Sequence, residues 1–282
     1  MEIDNFFVKS IDREIFCTLI KSEAPSSDCI IYFSPLFEER AWAQRVAFNF
    51  AKELASKSKF SVLMFDYYGH GESDGFSEEF TIASCLTDFE HILSYLKQIG
   101  YSTFMFWGIR TGSAIVQHIV NEGTSPAKMI HWAPVFDIYS YIETNLRGSV
   151  AGQYMLFKRT VAKREEILKD LLQYGKCERE GYVLNIIDSF RFGKDFFEET
   201  LNLNKYSNEE SISTPTLIIT VYKNKITLDN KSKNIVFPFI NAEFLTHQPV
   251  VDREFWQIGI DYSQRVSSLY EITSNWLSKV TN

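Results

Sequence analysis

The sequence predicts an α/β protein with a mostly parallel central sheet, helices on both faces of that sheet and a helical lid insertion. Two observations support this fold class. Short apolar runs alternate with amphipathic stretches of helical period, and strands that are almost wholly apolar are typical of parallel sheets covered on both faces. After residue 136 this alternation stops, and a charged, aromatic stretch precedes the next apolar run at residue 214.

Predicted strands and helices alternate in the first half of the chain. β-branched and aromatic residues dominate the strands, and a glycine ends two of the helices. The strands are CIIYFSP (29–35), FSVLMF (60–65), TFMFWG (103–108) and AKMIHWAPV (127–135), and the helices are RVAFNFAKELASKS (45–58), TIASCLTDFEHILSYLKQIG (81–100) and TGSAIVQHIVNEG (111–123).

The second half contains the predicted insertion and the end of the sheet. Residues 137–213 form a predicted helical lid, because long insertions of this kind often cover active sites. Residues 1–136 and 214–282 form the predicted core. Its later elements are strands at 214–222 and 241–247 and a terminal amphipathic helix at 262–280.

Composition argues against several classes of protein. The 282 residues carry a net charge of −7, which disfavours a broad nucleic-acid surface. Metal-binding, P-loop and dinucleotide motifs are absent from the sequence, so we expect no metal and no cofactor. We also expect no membrane span and no secretory signal. Because the four cysteines form no C-x-x-C pair, we predict free thiols in a cytoplasmic protein.

The stretch FMFWGIRTGSAIV (104–116) is the most informative part of the sequence. A buried strand, a turn flanked by glycines and a helix start follow one another, as in a G-x-S-x-G nucleophile elbow. Arg110 occupies the position of the serine. A guanidinium stays protonated and has no lone pair for attack, although its N–H groups suit a carboxylate or a phosphate. This elbow therefore cannot perform serine-type acyl transfer.

Together with the elbow, further stretches resemble the α/β-hydrolase superfamily, and within it the exosortase-A-system-associated hydrolases of the second type. They are FSPLFEER (33–40), DYYGHGESDG (66–75), EREGYVLN (178–185) and EFWQ (254–257). The resemblance covers most of the chain. It implies an α/β-hydrolase fold and a link to bacterial exopolysaccharide genes, but a shared fold implies no particular activity. Within DYYGHGESDG we expect Asp66, Ser73 and Asp74 to fix the loop by local hydrogen bonds.

The order nucleophile, acid, histidine locates the other positions of a Ser-His-Asp triad. The acid normally follows the strand after the lid, where residues 223–225 are not acidic and Asp229 comes late. The histidine normally follows the last strand. His247 stands at the end of the predicted strand, and we favour a structural role for it over a catalytic one. Ser113, one turn into the helix after the elbow, is a weak alternative nucleophile that we expect to face the sheet.

The predicted ligand-binding residues surround the elbow and are Arg110, Thr111, Leu36, Glu38 and Glu39. In the fold that the resemblance implies, the loop carrying Glu38 and Glu39 supplies the second oxyanion donor and lies over the elbow. Because a buried arginine without an acid is costly, we expect one of these glutamates within about 4 Å of Arg110. The alternative is that both carboxylates are solvated and stabilise the start of a helix.

These observations favour a degenerate hydrolase, which binds a ligand or a protein partner but performs no serine-type catalysis. Arg110 and the basic residues Arg147, Arg159, Arg191 and Lys194 of the insertion suit a small anionic or acyl ligand. The alternative is an esterase-, thioesterase- or acyltransferase-like enzyme with a non-standard catalytic set. The resemblance also leaves open a scaffold role in the assembly of an envelope polysaccharide.

Overall fold

The computed structural model describes residues 2–187, 190–203, 212–231, 237, 240–257 and 266–279. The strands in these ranges are β1 (Ile3–Ser10), β2 (Arg13–Ile20), β3 (Asp28–Phe33), β4 (Ser61–Phe65), β5 (Thr103–Ile109), β6 (Lys128–Trp132), β7 (Glu178–Arg179), β8 (Tyr182–Val183), β9 (Ile186–Ile187), β10 (Phe190–Arg191), β11 (Thr216–Tyr222) and β12 (Leu245–Val251). The helices are α1 (Glu38–Lys57), α2 (Ile82–Gln98), α3 (Gly112–Asn121), α4 (Ile138–Phe157), α5 (Arg164–Tyr174), α6 (Lys194–Leu203), α7 (Lys225–Lys231) and α8 (Ser267–Lys279).

The central sheet has eight strands in the order β1-β2-β4-β3-β5-β6-β11-β12. The strands from β4 to β12 in this order are parallel, while β2 pairs antiparallel with both β1 and β4. The predicted mostly parallel sheet is therefore confirmed. Because β3, β5 and β6 are parallel neighbours, the loops that follow them meet at one edge of the sheet, where open α/β sheets bind ligands.

Helices cover both faces of the sheet, as predicted. Helices α1 and α8 bury one face, where the ring of Phe50 lies about 5 Å from those of Trp107, Trp132 and Tyr270. Helices α2 and α3 bury the other face against a second apolar cluster. Each close aromatic pair adds about 0.5–1.5 kcal/mol to the gain from its buried area, so the large rings stabilise both layers.

The helices between β6 and β11 join the same apolar cluster as α2 and α3. Phe37, directly before α1, stacks on Tyr141 of α4 with 6.1 Å between ring centres and meets Phe196 of α6 edge-on at the same distance. Phe80, before α2, lies 5.4 Å from Phe196. Helices α4 and α6 are thus attached to the beginning of α1 through buried aromatic rings.

Two predicted boundaries are wrong for physical reasons. Helix α1 begins at Glu38 rather than at residue 45, because Phe37 precedes it without a side-chain cap that the sequence could reveal. The last strand spans Leu245–Val251 rather than 241–247, and it includes Pro249. Proline is tolerated there because β12 is an edge strand. Residues 262–265 and 280–282 lie outside the described residues.

The N-terminal hairpin was not predicted from the sequence. All residues of β1 and β2 pair, and the turn between them contains Ile11 with a φ of +54°. Among the described helices, none combines the length and the apolar character that crossing a bilayer requires.

Candidate functional site

Arg110 occupies a sharp turn between β5 and α3. Its φ is +52°, in the left-handed region that costs energy for any residue except glycine. Its backbone N–H donates to the carbonyl of Trp132 at 3.1 Å, and its carbonyl accepts the N–H of Val135 at 3.0 Å. The end of β6 therefore fixes the turn. The backbone of a nucleophile elbow is retained, although its side chain is not a nucleophile.

The two glycines of the elbow allow β5 and α3 to approach each other. A Cβ atom on Gly112 would lie 2.2 Å from the carbonyl oxygen of Phe33, and one on Gly108 would lie 2.7 Å from the Cα atom of Ser113. Both distances are far below van der Waals contact. Any other residue at either position would displace backbone, so the glycines are required by packing alone.

The guanidinium of Arg110 has three kinds of partner. Nε lies 3.1 Å from Oε2 of Glu39, and Nη2 lies 3.0 Å from Oε1 of the same carboxylate. Nη1 donates to the carbonyl of Ala133 at 3.2 Å. The guanidinium carbon also lies 4.6 Å from the ring centre of Trp256, within the range of a cation–π interaction. Of the two candidate glutamates, Glu39 forms the ion pair with Arg110.

This arrangement brings together three stretches that are distant in the sequence. Glu39 belongs to FSPLFEER, Arg110 to the elbow and Trp256 to EFWQ. Only 18% of the Arg110 side chain and 14% of the Glu39 side chain are exposed, and Trp256 is buried. An ion pair shielded from water in this way interacts more strongly than one on the surface, because screening is weaker.

A donor that the loop after β3 would offer to an oxyanion is already bound within the protein. In a serine hydrolase of this fold, one oxyanion donor is the N–H after the nucleophile, and the other comes from the loop after β3. Here the N–H of Leu36 in that loop donates to Oγ1 of Thr111 at 2.8 Å. Thr111 and Leu36 are fully buried. In this conformation neither of these predicted ligand-binding residues exposes a surface to a ligand.

Backbone strain is concentrated around Arg110. Phe37 has a φ of +58° and Ala133 a φ of +45°, and both lie in loops that contact the elbow region. A non-glycine residue in this conformation costs on the order of 1–2 kcal/mol. Backbone strain retained in the loops after three neighbouring strands is typical of functional sites and switch regions.

His247 is part of a strand rather than of a loop after the last strand, where a triad histidine is expected. It lies inside β12, where it pairs with Ile218 of β11, and β12 is three strands away from β5. At the usual spacing of parallel strands, this separation is roughly 14 Å. Nε2 of His247 lies 3.0 Å from Oγ1 of Thr220, and burial lowers the pKa of the imidazole. This position fits the structural role that we favoured.

A lysine and an asparagine follow β11, where a catalytic triad would have its acid. Lys223 directly follows β11, and its Nζ lies 2.8 Å from a carboxylate oxygen of Glu254. The side chain of Asn224 caps α7 by accepting the backbone N–H of Thr227 at 2.8 Å. Asp229 belongs to α7, but its side chain lies outside the described residues.

Ser113 and the cysteines are unsuited to nucleophilic attack in this conformation. Ser113 is fully buried, and its hydroxyl has no hydrogen-bond partner among the described residues. All four cysteines are buried free thiols. Burial raises the pKa of Cys29 to about 12 and that of Cys177 to about 11, so both remain protonated at neutral pH.

His131 of β6 was not among the residues predicted from the sequence. It pairs in register with Gly108 and is fully buried, with both ring nitrogens unpartnered among the described residues. Burial lowers the pKa of its imidazole to about 3. Its place in the strand next to the elbow was readable from the sequence, but its burial was not. It has no access to a substrate in this conformation.

The DYYGHGESDG loop has the structural role predicted for it. Asp66 pairs with Arg40, and its backbone carbonyl accepts a hydrogen bond from the Ser73 hydroxyl at 2.7 Å. The Asp74 carboxylate accepts a backbone N–H from β2 at 2.7 Å. His70 of this loop is buried, and burial lowers its pKa to about 4. Its ring stacks on Phe190 at 5.7 Å.

Three of the four basic residues predicted to suit a ligand in the insertion have acidic partners of their own. Arg159 and Arg191 are exposed and pair with Glu180 and, at 3.8 Å, with Glu78. Lys194 is half-buried and lies 3.6 Å from Glu198. Among the described residues, no cluster of histidine, cysteine and acidic side chains could hold a metal ion.

Residues 25–238 match the model of a protein family described as serine aminopeptidase, S33. Because the match spans most of the chain, the protein belongs to this family of α/β-hydrolases. None of the curated proteins compared with the sequence matches it.

Solved structures show the same fold over almost the whole chain. Est1E from Butyrivibrio proteoclasticus with bound ferulic acid is 14% identical, with a TM-score of 0.62 over 97% of this chain and 98% of that one. The α/β-hydrolase GrgF from Penicillium sp. sh18 is 14% identical, with a TM-score of 0.63 and 99% coverage of both chains. A soluble variant of monoglyceride lipase from Saccharomyces cerevisiae, in complex with a substrate analogue, is 13% identical, with a TM-score of 0.61 over 100% of this chain and 96% of that one. At these identities the likeness shows the fold alone.

Proposed function

We propose that this protein is a non-catalytic member of the S33 family that binds a small anionic or acyl ligand at Arg110. One observation supports this proposal most directly. A permanently charged guanidinium stands at the tip of the elbow, and the Glu39 carboxylate and the Trp256 ring hold it in place. The Glu39 carboxylate binds the guanidinium as the carboxylate of a ligand would. One of the protein's own side chains thus occupies the candidate ligand site.

The hydrogen bonds of Arg110 to Glu39 and Ala133 leave N–H donors for a second anion. A guanidinium has five N–H groups, and the hydrogen bonds to Glu39 and Ala133 use three of them. The side chain also keeps some exposed surface. A ligand carboxylate or phosphate would bind the remaining donors, or it would replace Glu39. Replacement leaves the Glu39 carboxylate in the first turn of α1, where the helix dipole stabilises negative charge.

We further propose a role for the insertion and a cellular role for the protein. Residues 137–213 would act as a lid, because the aromatic contacts of α4 and α6 lie at Phe37, two residues before Glu39. The convergence of Glu39, Arg110 and Trp256 supports kinship with the exosortase-associated hydrolases, whose resemblance rests on these stretches. A cytoplasmic role linked to bacterial exopolysaccharide systems, with a small ligand or a protein partner, follows from that kinship.

Calorimetric titration with sodium decanoate and with glucose 1-phosphate tests the binding site. We expect the wild-type protein to bind one of these probes and Arg110→Met to lose that binding. Glu39→Gln should bind about tenfold more tightly, because the competing carboxylate is removed. Glu90→Gln, an exposed substitution on α2, is the control. Absence of binding to both the wild type and Glu39→Gln, or binding that survives Arg110→Met, would overturn the proposal.

The second candidate function is an esterase-, thioesterase- or acyltransferase-like activity with a non-standard catalytic set. The retained elbow backbone and the likeness to other members of the superfamily favour it. Labelling with a fluorophosphonate probe, followed by peptide mapping, separates the two candidates. The binding proposal predicts no labelled serine, whereas a labelled Ser113 or another labelled serine would favour the enzyme.

A further inference from the structure

The second half of α4 and the loop after it carry an unusual distribution of charge. Residues 147–164 contain five basic residues and no acidic one, although the whole chain has a net charge of −7. The basic residues are Arg147, Lys158, Arg159, Lys163 and Arg164. This segment is therefore a local positive region on an acidic protein.

The apolar residues at the end of α4 are unusually exposed. Tyr154 is 64% exposed, Met155 is 79% exposed and Leu156 is 60% exposed. Lys158 then ends the helix in a left-handed conformation, with its N–H bonded to the carbonyl of Tyr154. Three successive apolar residues in the last turn of α4 are thus exposed to solvent.

Charged and apolar residues on this helix share one exposed stripe. Arg147, Ala151, Tyr154, Met155 and Lys158 follow at helical spacing, and each of them is exposed. The two cations at the ends of the stripe are about 16 Å apart along the helix. The apolar residues between them are thus bordered by positive charge at both ends.

The neighbouring hairpin extends this surface. Phe157 packs edge-on against Tyr182, which joins the surface and is 51% exposed, with 5.2 Å between ring centres. We use the name α4 tip for a set of exposed apolar and basic residues. They are Tyr154, Met155, Leu156 and Tyr182, with Arg147, Lys158 and Lys163.

Some of the positive charge in this segment is neutralised. Arg159 pairs with Glu180, and Arg164 lies 2.9 Å from Glu165 and 3.9 Å from Glu143. The three cations of the α4 tip, by contrast, form no salt bridge with any acid in the part of the chain that the structure describes. They remain available to an external negative charge.

We propose that the α4 tip binds the surface of an anionic lipid bilayer. Successive residues of a helix point about 100° apart, so Leu156 projects away from the stripe that carries Tyr154 and Met155, and the three residues together form no single flat face. A protein partner that covered all three would need a deep, shaped pocket, whereas the interfacial region of a bilayer accommodates side chains on all sides. The adjacent cations would contact lipid phosphates and anionic headgroups. This inference does not depend on the proposed function of Arg110.

Co-sedimentation with vesicles tests the proposal on the full-length protein. We expect binding to vesicles of phosphatidylcholine with about 40% phosphatidylglycerol, and much weaker binding to vesicles of phosphatidylcholine alone. The variant M155S/L156S should bind at least tenfold more weakly, because apolar insertion is lost. The variant K158Q/K163Q should lose about fivefold per lysine at low salt.

Two controls use exposed residues elsewhere. Ile226 is 74% exposed and Lys97 is exposed at the end of α2, so Ile226→Ser and Lys97→Gln should leave vesicle binding unchanged. Circular dichroism shows whether each variant remains folded. Absence of binding to the anionic vesicles, or equal loss in the control variants, would overturn the proposal. A dimer in solution that M155S/L156S dissociates would also overturn it, in favour of a contact between two copies of this chain.

Discussion

Glu39→Gln is the substitution that most sharply tests the ion pair at the elbow. The amide preserves the size and shape of the side chain but removes its negative charge. Arg110 then keeps its hydrogen bond to the Ala133 carbonyl and its contact with Trp256, yet it loses the carboxylate that accepts two of its N–H groups. A largely buried positive charge thereby loses the carboxylate with which it forms its ion pair.

The expected loss of stability follows from the burial of the pair. Removal of one partner from a fully buried ion pair costs about 3–5 kcal/mol. Here the side chains are 18% and 14% exposed, and the glutamine oxygen still accepts one hydrogen bond. We therefore expect a loss of about 2 kcal/mol in the free energy of unfolding, which corresponds to a decrease of roughly 4–8 °C in Tm.

Urea denaturation followed by far-UV circular dichroism measures this loss. Glu90→Gln is the matched control and should change the free energy of unfolding by less than about 0.5 kcal/mol. The double variant E39Q/R110M should lose less than the sum of the two single variants, because each single change already breaks the same ion pair. A loss below about 0.5 kcal/mol in Glu39→Gln, or strict additivity in the double variant, would refute the ion-pair argument.

Three further predictions concern the structure around the site. Thr111→Val removes the acceptor of the buried Leu36 N–H and should cost about 1–3 kcal/mol in urea denaturation. Gly112→Ala should prevent folding or lower Tm by more than 10 °C, or roughly 3 kcal/mol or more, because its Cβ would lie 2.2 Å from a carbonyl oxygen of β3. Gly148→Ala, where no atom lies within 4 Å, should stabilise α4 by up to about 1 kcal/mol. His70 stays neutral in the folded protein down to about pH 4, whereas the unfolded chain takes up its proton near pH 6.5, so acidification between these values should remove about 3 kcal/mol of stability. Substitution of His70 by Phe should remove that part of the pH dependence measured by urea denaturation.

Each of these predictions has a contradicting result. An unchanged unfolding midpoint in Thr111→Val would mean that the N–H of Leu36 finds another acceptor. Equal effects of alanine at Gly112 and at Gly148 would contradict the packing argument for the elbow. Identical loss of stability with falling pH in the wild type and in His70→Phe would show that this histidine is not the group being titrated.

The sequence predicted the sheet and the elbow because both depend on local patterns. Apolar runs locate β3 to β6, and glycines at 108 and 112 locate the turn. The pairing of Arg110 with Glu38 or Glu39 was predicted from the α/β-hydrolase fold that the resemblance implies, in which the loop after β3 lies over the elbow. The choice of Glu39 did not follow from the sequence, because it depends on where α1 begins, and no capping residue marks that start.

The remaining features depend on contacts between distant residues. Trp256 was visible as part of a motif, but its position over Arg110 requires the packing of a segment that lies after the last strand. The place of His247 inside β12 was missed because Pro249 interrupts the strand pattern, and only an edge strand tolerates a proline there. The hydrogen bond from Leu36 to Thr111 likewise depends on side-chain orientation that spacing does not reveal.

Ester hydrolysis is the most direct test of the claim that the Arg110 elbow is non-catalytic. Purified wild-type protein and Arg110→Ala would be compared on p-nitrophenyl esters and acyl thioesters of increasing chain length, with an active serine esterase as the positive control. We predict no turnover above background with either protein. Turnover by the wild type that disappears in Arg110→Ala would contradict this account, because it would show that the arginine takes part in catalysis.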